Sequence, residues 1–240
     1  MVDSSWKLDE KITDLLSPFE QDFLRTELGR SLEYYRRRLK KIGFEGKDRV
    51  LDAACGMGQW SLALATLNSS VIGLDQAMPR LCVANELKKA NHADNLQIKY
   101  GDFHHLPLET GSLEAVFCNI ALMYGRIEEV LAEFSRVLKK GGEMYVNAAG
   151  YGYYLDLVVS RGLANKDIRL AKLGIKIIVS SLLGGKKDVA VSAAGFRAMI
   201  EKAGFKIKDF GLEGELTGDP IYKKEYKGLP CIFETVAVKL

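Results

Sequence analysis

The stretch from Arg49 to Asp75, "RVLDAACGMGQWSLALATLNSSVIGLD", constrains this chain more than any other. A short apolar run meets an acid, Asp52, and then a turn built on Gly56 and Gly58. A helix-like segment, "QWSLALATL" (59–67), follows, and a second apolar run (70–75) ends on another acid, Asp75. Strand, glycine turn, helix and strand make a βαβ unit, whose two strands lie parallel under a right-handed crossover. The alternation continues through "MPRLCVANELKKANH" (78–92), "LQIKYGD" (96–102), "LEAVFCN" (113–119), "IEEVLAEFSRVLKKGG" (127–142) and "EMYVNAA" (143–149). It predicts a doubly wound α/β fold, with a mostly parallel sheet covered on both faces.

Ahead of this alternation, Ser17-Pro18-Phe19-Glu20 has the pattern of a capped helix start, with proline at the first helical position. Apolar residues at Phe19, Phe23, Leu28, Leu32, Tyr35, Leu39 and Ile42 recur mostly three or four apart, which predicts one helix ending at Gly43. Arg36, Arg37, Arg38, Lys40 and Lys41 share its other side; a solvated face is the ordinary explanation and a phosphate-binding patch the alternative. The alternation stops at Tyr151. Residues 151–190 read as helical, "SAAGFRAMIEKAGF" (192–205) as a helix, "KIKDFG" (206–211) as a strand and "CIFETVAVKL" (231–240) as a last strand. A glycine-rich connection with Pro220 and Pro230 joins the last two. The expected organisation is a single domain: an N-terminal helical cap (1–46), a ligand-binding core (47–150), a helical covering insertion (151–190), and a terminal helix and hairpin (191–240).

Basic residues number 34 against 31 acids, and a net charge of +3 is too small to argue for nucleic acid. Cys55, Cys82, Cys118 and Cys231 form no C-x-x-C pair and three lie in apolar runs, so they read as buried free thiols in a reducing compartment. The N-terminus "MVDSSWKLDEKITDLL" is charged throughout, unlike a signal peptide, and no apolar run approaches the ~20 residues that span a bilayer. The expectation is a soluble, cytoplasmic protein.

In an open parallel sheet, ligands bind beyond the carboxyl ends of the strands. Gly56 and Gly58 stand there and let the backbone approach a ligand, with the free N–H groups of the next helix behind them. Asp75, at the end of the second strand, is placed to accept from two ribose hydroxyls, about 20 residues beyond the glycines as in a dinucleotide site. Two features turn the reading away from a dinucleotide. Ser61 replaces the third glycine of G-x-G-x-x-G, which is expected to remove the close helix–strand contact of NAD-binding folds. Asp52 puts a carboxylate where a pyrophosphate would need room, and a carboxylate there suits a cationic amine. Asp102, ending the third strand in "YGDF", is placed to accept from an exocyclic amine. An ammonium, a diol and an aminopurine together describe S-adenosylmethionine.

Four stretches, "VLDAACGMG", "VIGLDQA", "GDFHHLPLETGSLEAVFCN" and "EVLAEFSRVLKKGGEMYV", follow one another between about 50 and 147. In these the chain resembles the class I S-adenosylmethionine-dependent methyltransferases, within them the group typified by the ubiquinone/menaquinone-type methyltransferase domain. The resemblance implies a seven-stranded Rossmann-like sheet whose antiparallel last hairpin is "GF…IKDFG…FETVAVKL". It implies Asp52 and the backbone of Ala54 and Gly56 near the methionine moiety, and Asp75 on the ribose. It further implies Gln76 and Met78 beside the adenosine, Asp102 and Phe103 at the adenine, and Asn119 beneath the sulfonium; Gly58 completes the set. Glu114 departs from the aspartate usual at the start of the fourth strand, a position that mainly anchors structure. The residues alone leave other roles open: Asp102 could cap a turn, Phe103 and Met78 could be core, and Asn119 could bond its own backbone. His104 and His105 read as a solvated loop pair, and without a third ligand at metal spacing no metal is expected.

The expected reaction is in-line displacement at the methyl carbon, leaving S-adenosylhomocysteine, with positioning and exclusion of water as the protein's main contributions. A hydroxyl acceptor would need a base. Tyr124, just past the fourth strand, is the catalytic candidate, and Tyr34, Tyr35 and Tyr153 are candidate substrate contacts. Nucleic-acid subclasses are set aside. "CNIALMY" stands where base-amine methylation goes with [DNS]-P-P-[YF], Cys118 lacks a preceding proline, and Pro230-Cys231 begins the last strand. The insertion resembles the family's substrate-covering segment. In it, Ile168, Ala171, Ile175, Ile178 and Leu182 form one helical stripe, and Lys166, Arg169, Lys172 and Lys176 another. From Arg161 to Lys187 there are seven basic residues and one acid, net +6. This suits a solvated lid face, or contact with an anionic or membrane-surface substrate such as a lipid-linked glycan. The expected acceptor is a small molecule or glycan, methylated at oxygen or nitrogen; the alternative is a non-catalytic cofactor-binding partner subunit.

Overall fold

Branched and aliphatic runs buried on both faces become the central strands, as parallel strands under helices require. They are β1 (Arg49–Ala53), β2 (Ser70–Asp75), β4 (Leu113–Cys118) and β5 (Leu138–Ala149), while the less buried β3 (Leu96–Tyr100) forms one edge of the sheet. Then come β6 (Phe205–Leu212), a small hairpin of β7 (Glu225–Tyr226) and β8 (Leu229–Pro230), and β9 (Ile232–Lys239). In this computed structural model, which describes residues 6–8, 10–218 and 220–240, seven strands form one sheet in the order β3-β2-β1-β4-β5-β9-β6. β1 pairs parallel with β2 and β4, and β2 with β3, whereas β9 runs antiparallel to both β5 and β6. The doubly wound, mostly parallel sheet with an antiparallel last strand is the fold that the alternation predicts. Because strand order reverses on either side of β1, the ends of β1 and β4 mark the switch point at which open α/β sheets place a ligand. Residues 1–5 of the expected cap and of the signal-peptide reading lie outside the described residues.

Helices α1 (Pro18–Leu28), α2 (Leu32–Lys41), α3 (Gln59–Ala65) and α4 (Met78–Ala90) precede α5 (Ile127–Val137), α6 (Tyr151–Asp156), α7 (Ile168–Leu182) and α8 (Ala193–Lys202). The chain divides into two compact units, one of residues 1–117 and 137–142, the other of 118–136 and 143–240.

In the first unit, α1 opens with the expected capping box, Ser17 and Glu20 each accepting from the other's backbone N–H. The single helix expected from Ser17 to Gly43 is two helices. Gly29 ends α1, and Ser31 caps α2 by accepting from Tyr34 N. The break re-aims the first segment, so Phe19 and Phe23 are exposed while Leu28, Tyr35, Leu39 and Ile42 are buried. The basic run is not wholly solvated either. Arg38 is buried with its guanidinium over the Tyr34 ring, Arg36 pairs with Glu33, and Lys40 pairs with Glu45. Trp60 of α3 packs against Tyr35 (4.7 Å between centroids) and Phe117 (5.1 Å), tying α2, α3 and β4 together.

In the second unit, the segment after Gly150 runs as α6, a π-helical stretch (Leu157–Leu163) and α7. α7 seats through missing side chains: a Cβ on Gly174 would lie 2.6 Å from Val158 Cγ2, and one on Gly162 2.7 Å from the Ala171 nitrogen. This close approach fixes the helix rotation. The buried face is Ala171, Gly174 and Ile177, with Leu170 and Ile178 partly covered, so Ile168, Ile175 and Leu182 of the expected stripe are exposed. The inner face joins Tyr154, Leu157, Ala190, Ala149 and Met123 in one apolar cluster. Buried Asp156 accepts from Arg161 (3.1 Å) and Lys223 (2.7 Å), which anchors this segment to the connection before β7. Among the described residues, no helix is long and apolar enough to cross a membrane.

Candidate active site

The chain leaves β1 in a turn whose backbone few residues adopt: Ala54, Gly56 and Gly58 have φ of 59°, 55° and 85°. Asp75, at the end of β2, holds that turn. Its Oδ2 accepts from Gly56 N (2.9 Å) and its Oδ1 from Ala77 N (2.8 Å), so each oxygen keeps a lone pair for a further donor. The two glycines part company. A Cβ on Gly56 would meet nothing within 4 Å, whereas one on Gly58 would lie 2.9 Å from Ala84 Cβ. Gly56 therefore borders open space, while Gly58 supplies the left-handed cap of α3 and its packing on α4.

Asp52 is buried, and Ser61 Oγ donates to its Oδ2 at 2.6 Å. Burial raises the Asp52 carboxyl; the Ser61 bond opposes this, the Asp75 charge adds to it, and the result is pushed up to about 7. Ser61 was expected to abolish the close helix–strand contact, yet the contact is present. The room comes from Gly73 in β2, where a Cβ would lie 2.7 Å from Ser61 Oγ and 2.9 Å from Ile98 Cδ1. The small residue has moved from the helix to the strand. Sequence reasoning missed Ser61 as the partner of Asp52; a lone hydroxyl in the apolar "QWSLALA" was the available signal. Two residues earlier in α3, the buried Gln59 Oε1 has no hydrogen-bond partner among the described residues. A buried carboxylate with no cationic partner among the described residues fits a ligand bearing an ammonium, and the spare lone pairs of Asp75 at the open Gly56 fit a diol.

Past β3, Asp102 Oδ1 accepts from His104 N (2.9 Å) and lies 2.6 Å from His104 Nδ1. Burial raises the Asp102 pKa, but the His104 bonds outweigh it and the net shift is downward. Asp102 thus caps a turn, and its side chain stays 47% exposed. His104 is half-buried on this acid, so the histidines are not a solvated pair; only His105 is exposed. Phe103 is buried with its edge on the His104 ring, whereas Met78 and Gln76 are exposed and not core. Also in the first unit, Tyr35 is core. It is fully buried, its hydroxyl is 2.8 Å from Glu27 O and 2.9 Å from Glu27 Oε2, and burial together with Glu27 raises its pKa. Tyr34 is half-buried between the guanidiniums of Arg30 and Arg38.

In the second unit, Asn119 Oδ1 accepts from Asn147 Nδ2 at 2.7 Å, not from its own backbone. Asn147 Oδ1 in turn accepts from Ile120 N. Buried Asn147 was missed in the sequence, where its signal was an amide inside the apolar "MYVNAA". It braces a strained residue: Ile120 has φ of 53°, which a β-branched side chain seldom tolerates. Tyr124 is exposed at the end of the 3-10 turn Leu122–Tyr124, and half-buried Tyr153 lies under Arg161 (5.0 Å) with Tyr154 at its edge. No cluster of three metal-ligating side chains occurs among the described residues.

Residues 50–142 match the model of a methyltransferase domain family. The chain is 32% identical over 133 residues to a malonyl-[acyl-carrier protein] O-methyltransferase of Xylella fastidiosa, covering 53% of this chain and 41% of that protein. It is 30% identical over 110 residues to a demethylmenaquinone methyltransferase of Oceanobacillus iheyensis, covering 44% and 46%. The chain thus spans less than half the length of these two relatives. Among solved structures, a geranyl diphosphate methyltransferase in complex with S-adenosylmethionine aligns with a TM-score of 0.64 at 14% identity, covering 100% of both chains. The [4+2]-cyclase SpnF aligns at 0.61 and 16% identity, covering 87% of this chain and 80% of that one, so the likeness to solved structures speaks for the fold alone. The family match begins at β1 and takes in the glycine turn and the strand-end acids, so over residues 50–142 this chain is similar to a methyltransferase domain, within the sheet order found here.

Proposed function

We propose that this chain transfers a methyl group from S-adenosylmethionine to a small-molecule or glycan acceptor, at oxygen or nitrogen, with S-adenosylhomocysteine as the other product. The observation that carries the reading is Asp52: a buried carboxyl pushed up to about 7, with no cationic side chain beside it among the described residues, at an open glycine turn. Bound there, the cofactor supplies a methyl group activated by its positive sulfur. The chain's residues do the rest. Asp52 and Gln59 Oε1 receive the ammonium, and the two free lone pairs of Asp75 hold the ribose diol. The backbone of Ala54 and Gly56 lines the methionine moiety, and Gln76, Met78, Asp102 and Phe103 frame the adenosine. Asn119, oriented by Asn147, is the proposed contact to the sulfonium. Tyr124 is the proposed catalytic residue, and Tyr153 and Tyr34 the proposed substrate contacts; Tyr35 is left out because it has no accessible surface.

Residues 151–190 are proposed as a lid that excludes water on the acceptor side, since their apolar face packs on Met123 just past β4. The proposed setting is the cytoplasm, where the four free cysteines would remain reduced. Relatives named as O- and C-methyltransferases keep carbon acceptors in the assay panel. The test is a screen of metabolite and sugar pools with methyl-labelled cofactor. Labelled acceptor and S-adenosylhomocysteine formed in equal amounts support the reading, and cofactor binding without either product across the pools overturns it.

A further inference from the structure

α7 turns its large aliphatic side chains outward. Its inner face is Ala171, Gly174 and Ile177, while Ile168, Leu173, Ile175, Val179 and Leu182 are exposed, with Leu163 and Leu183 exposed on either side. Seven of the fifteen exposed large apolar residues of the described chain therefore fall within 163–183. Exposed Arg169, Lys172 and Lys176 are interleaved with them, and exposed Lys186 and Lys187 follow. From Arg161 to Lys187 Asp167 is the one acid, and its carboxylate is engaged in capping α7. An outward face that is both apolar and positive is costly to leave in water, and two observations say what fits it.

A second copy of the chain would set the same lysines against one another, an arrangement that like charges oppose. A protein partner usually meets aromatic and arginine anchors, with lysine depleted; this face has no aromatic residue and is lysine-rich. Aliphatic side chains with interleaved lysines suit the surface of an anionic bilayer. There the aliphatic groups sink past the headgroups and the lysine stems reach back to the phosphates. We propose that α7 and the turn through Lys187 form an interfacial helix that docks this unit on an anionic lipid surface. The opposite side of the helix rests on the cluster containing Met123, so docking would hold the segment after β4 near the bilayer. An acceptor dissolved in lipid could then be taken up without crossing water; that consequence rests on the methyl-transfer reading, whereas the docking does not.

The experiment is co-sedimentation of the full chain, without cofactor, with vesicles of phosphatidylcholine alone or mixed with phosphatidylglycerol. Binding is expected to the mixed vesicles and to weaken with salt. The pair Lys172→Gln/Lys176→Gln should lower partitioning roughly twenty-five-fold, each lysine near such a surface being worth about fivefold. Ile175→Ser/Leu182→Ser should lower it as well, with melting temperatures unchanged because all four side chains are exposed. Absence of binding to the mixed vesicles, or equal binding by the chain and both variants, would overturn the proposal. A dimer in sedimentation that Ile175→Ser/Leu182→Ser dissociates would reassign the face to a second copy. Cofactor binding measured by calorimetry on the same samples keeps a failure of docking distinct from a failure of the methyltransferase reading.

Discussion

Two acids at neighbouring strand ends do different work because their surroundings differ. Asp75 accepts from two backbone N–H groups, whereas buried Asp52 has one hydroxyl donor and no cation among the described residues. Since the folded Asp52 pKa lies above its ordinary value of 3.8, the stability it lends is complete below 3.8 and is lost as pH rises through about 7. Asp52→Asn should therefore stabilise the cofactor-free protein at pH 8 more than at pH 5, with a ceiling on the order of 4 kcal/mol; urea titrations at the two pH values read the difference. The same carboxyl must ionise to receive a cation, so cofactor affinity should rise between pH 5.5 and 7, by up to about tenfold per pH unit. Calorimetry across that range checks this, and in Asp52→Asn the slope should vanish. Asp75→Ala should weaken cofactor binding by about 1.5–3 kcal/mol, the range for hydrogen bonds to a charged group. It should also lower the melting temperature, because the Gly56 and Ala77 N–H groups lose their acceptor; a dissociation constant that holds steady in the folded variant would mean the free lone pairs face no ligand.

Helices in this chain are seated by absent side chains as much as by present ones. α3 approaches β2 over Gly73, and α7 approaches the π-helical stretch over Gly174 and Gly162. Gly73→Ala would press a methyl group onto Ser61 Oγ and Ile98 Cδ1, and should cost about 1–3 kcal/mol in urea denaturation, as overpacked cores do. Adding Ser61→Gly removes one of those two contacts and should return part of the loss. Gly174→Ala meets Val158 Cγ2 and the Tyr154 carbonyl. It should speed hydrogen exchange across Ile168–Leu182 and leave β1 and β2 protected, which exchange mass spectrometry resolves segment by segment.

For the protein as a whole, the strand-end acids argue for one cofactor against another. S-adenosylmethionine at about a hundred times its dissociation constant should raise unfolding free energy by about 2.7 kcal/mol, and NAD should raise it by nothing measurable. A thermal-shift series with both ligands makes the comparison. Stabilisation by NAD alone would return the site to the dinucleotide class that Asp52 argues against.

Much of this was already written in the chain's periodicity. Short apolar runs alternating with amphipathic segments admit few topologies once crossovers are right-handed, so the strands, their direction and the glycine turn could be read directly. Asp52 and Asp75 stood out as candidates because an acid at the end of an apolar run is conspicuous. Rotation and pairing were not accessible in this way. Hydropathy placed Ile168, Ile175 and Leu182 on a common stripe, but which stripe faces inward depended on Gly162 and Gly174, whose effect is a distance of approach to a neighbouring element. The break at Gly29 turned Phe19 and Phe23 outward although their spacing continued that of the buried residues after them. Ser61 and Asn147 became visible as partners of Asp52 and Asn119 only when α3 folded back on β1 and the residues after β4 came within hydrogen-bond reach of β5. Periodicity is a local property that repeats along one element; close packing and hydrogen-bond pairing join two elements, and these only the folded chain brings together.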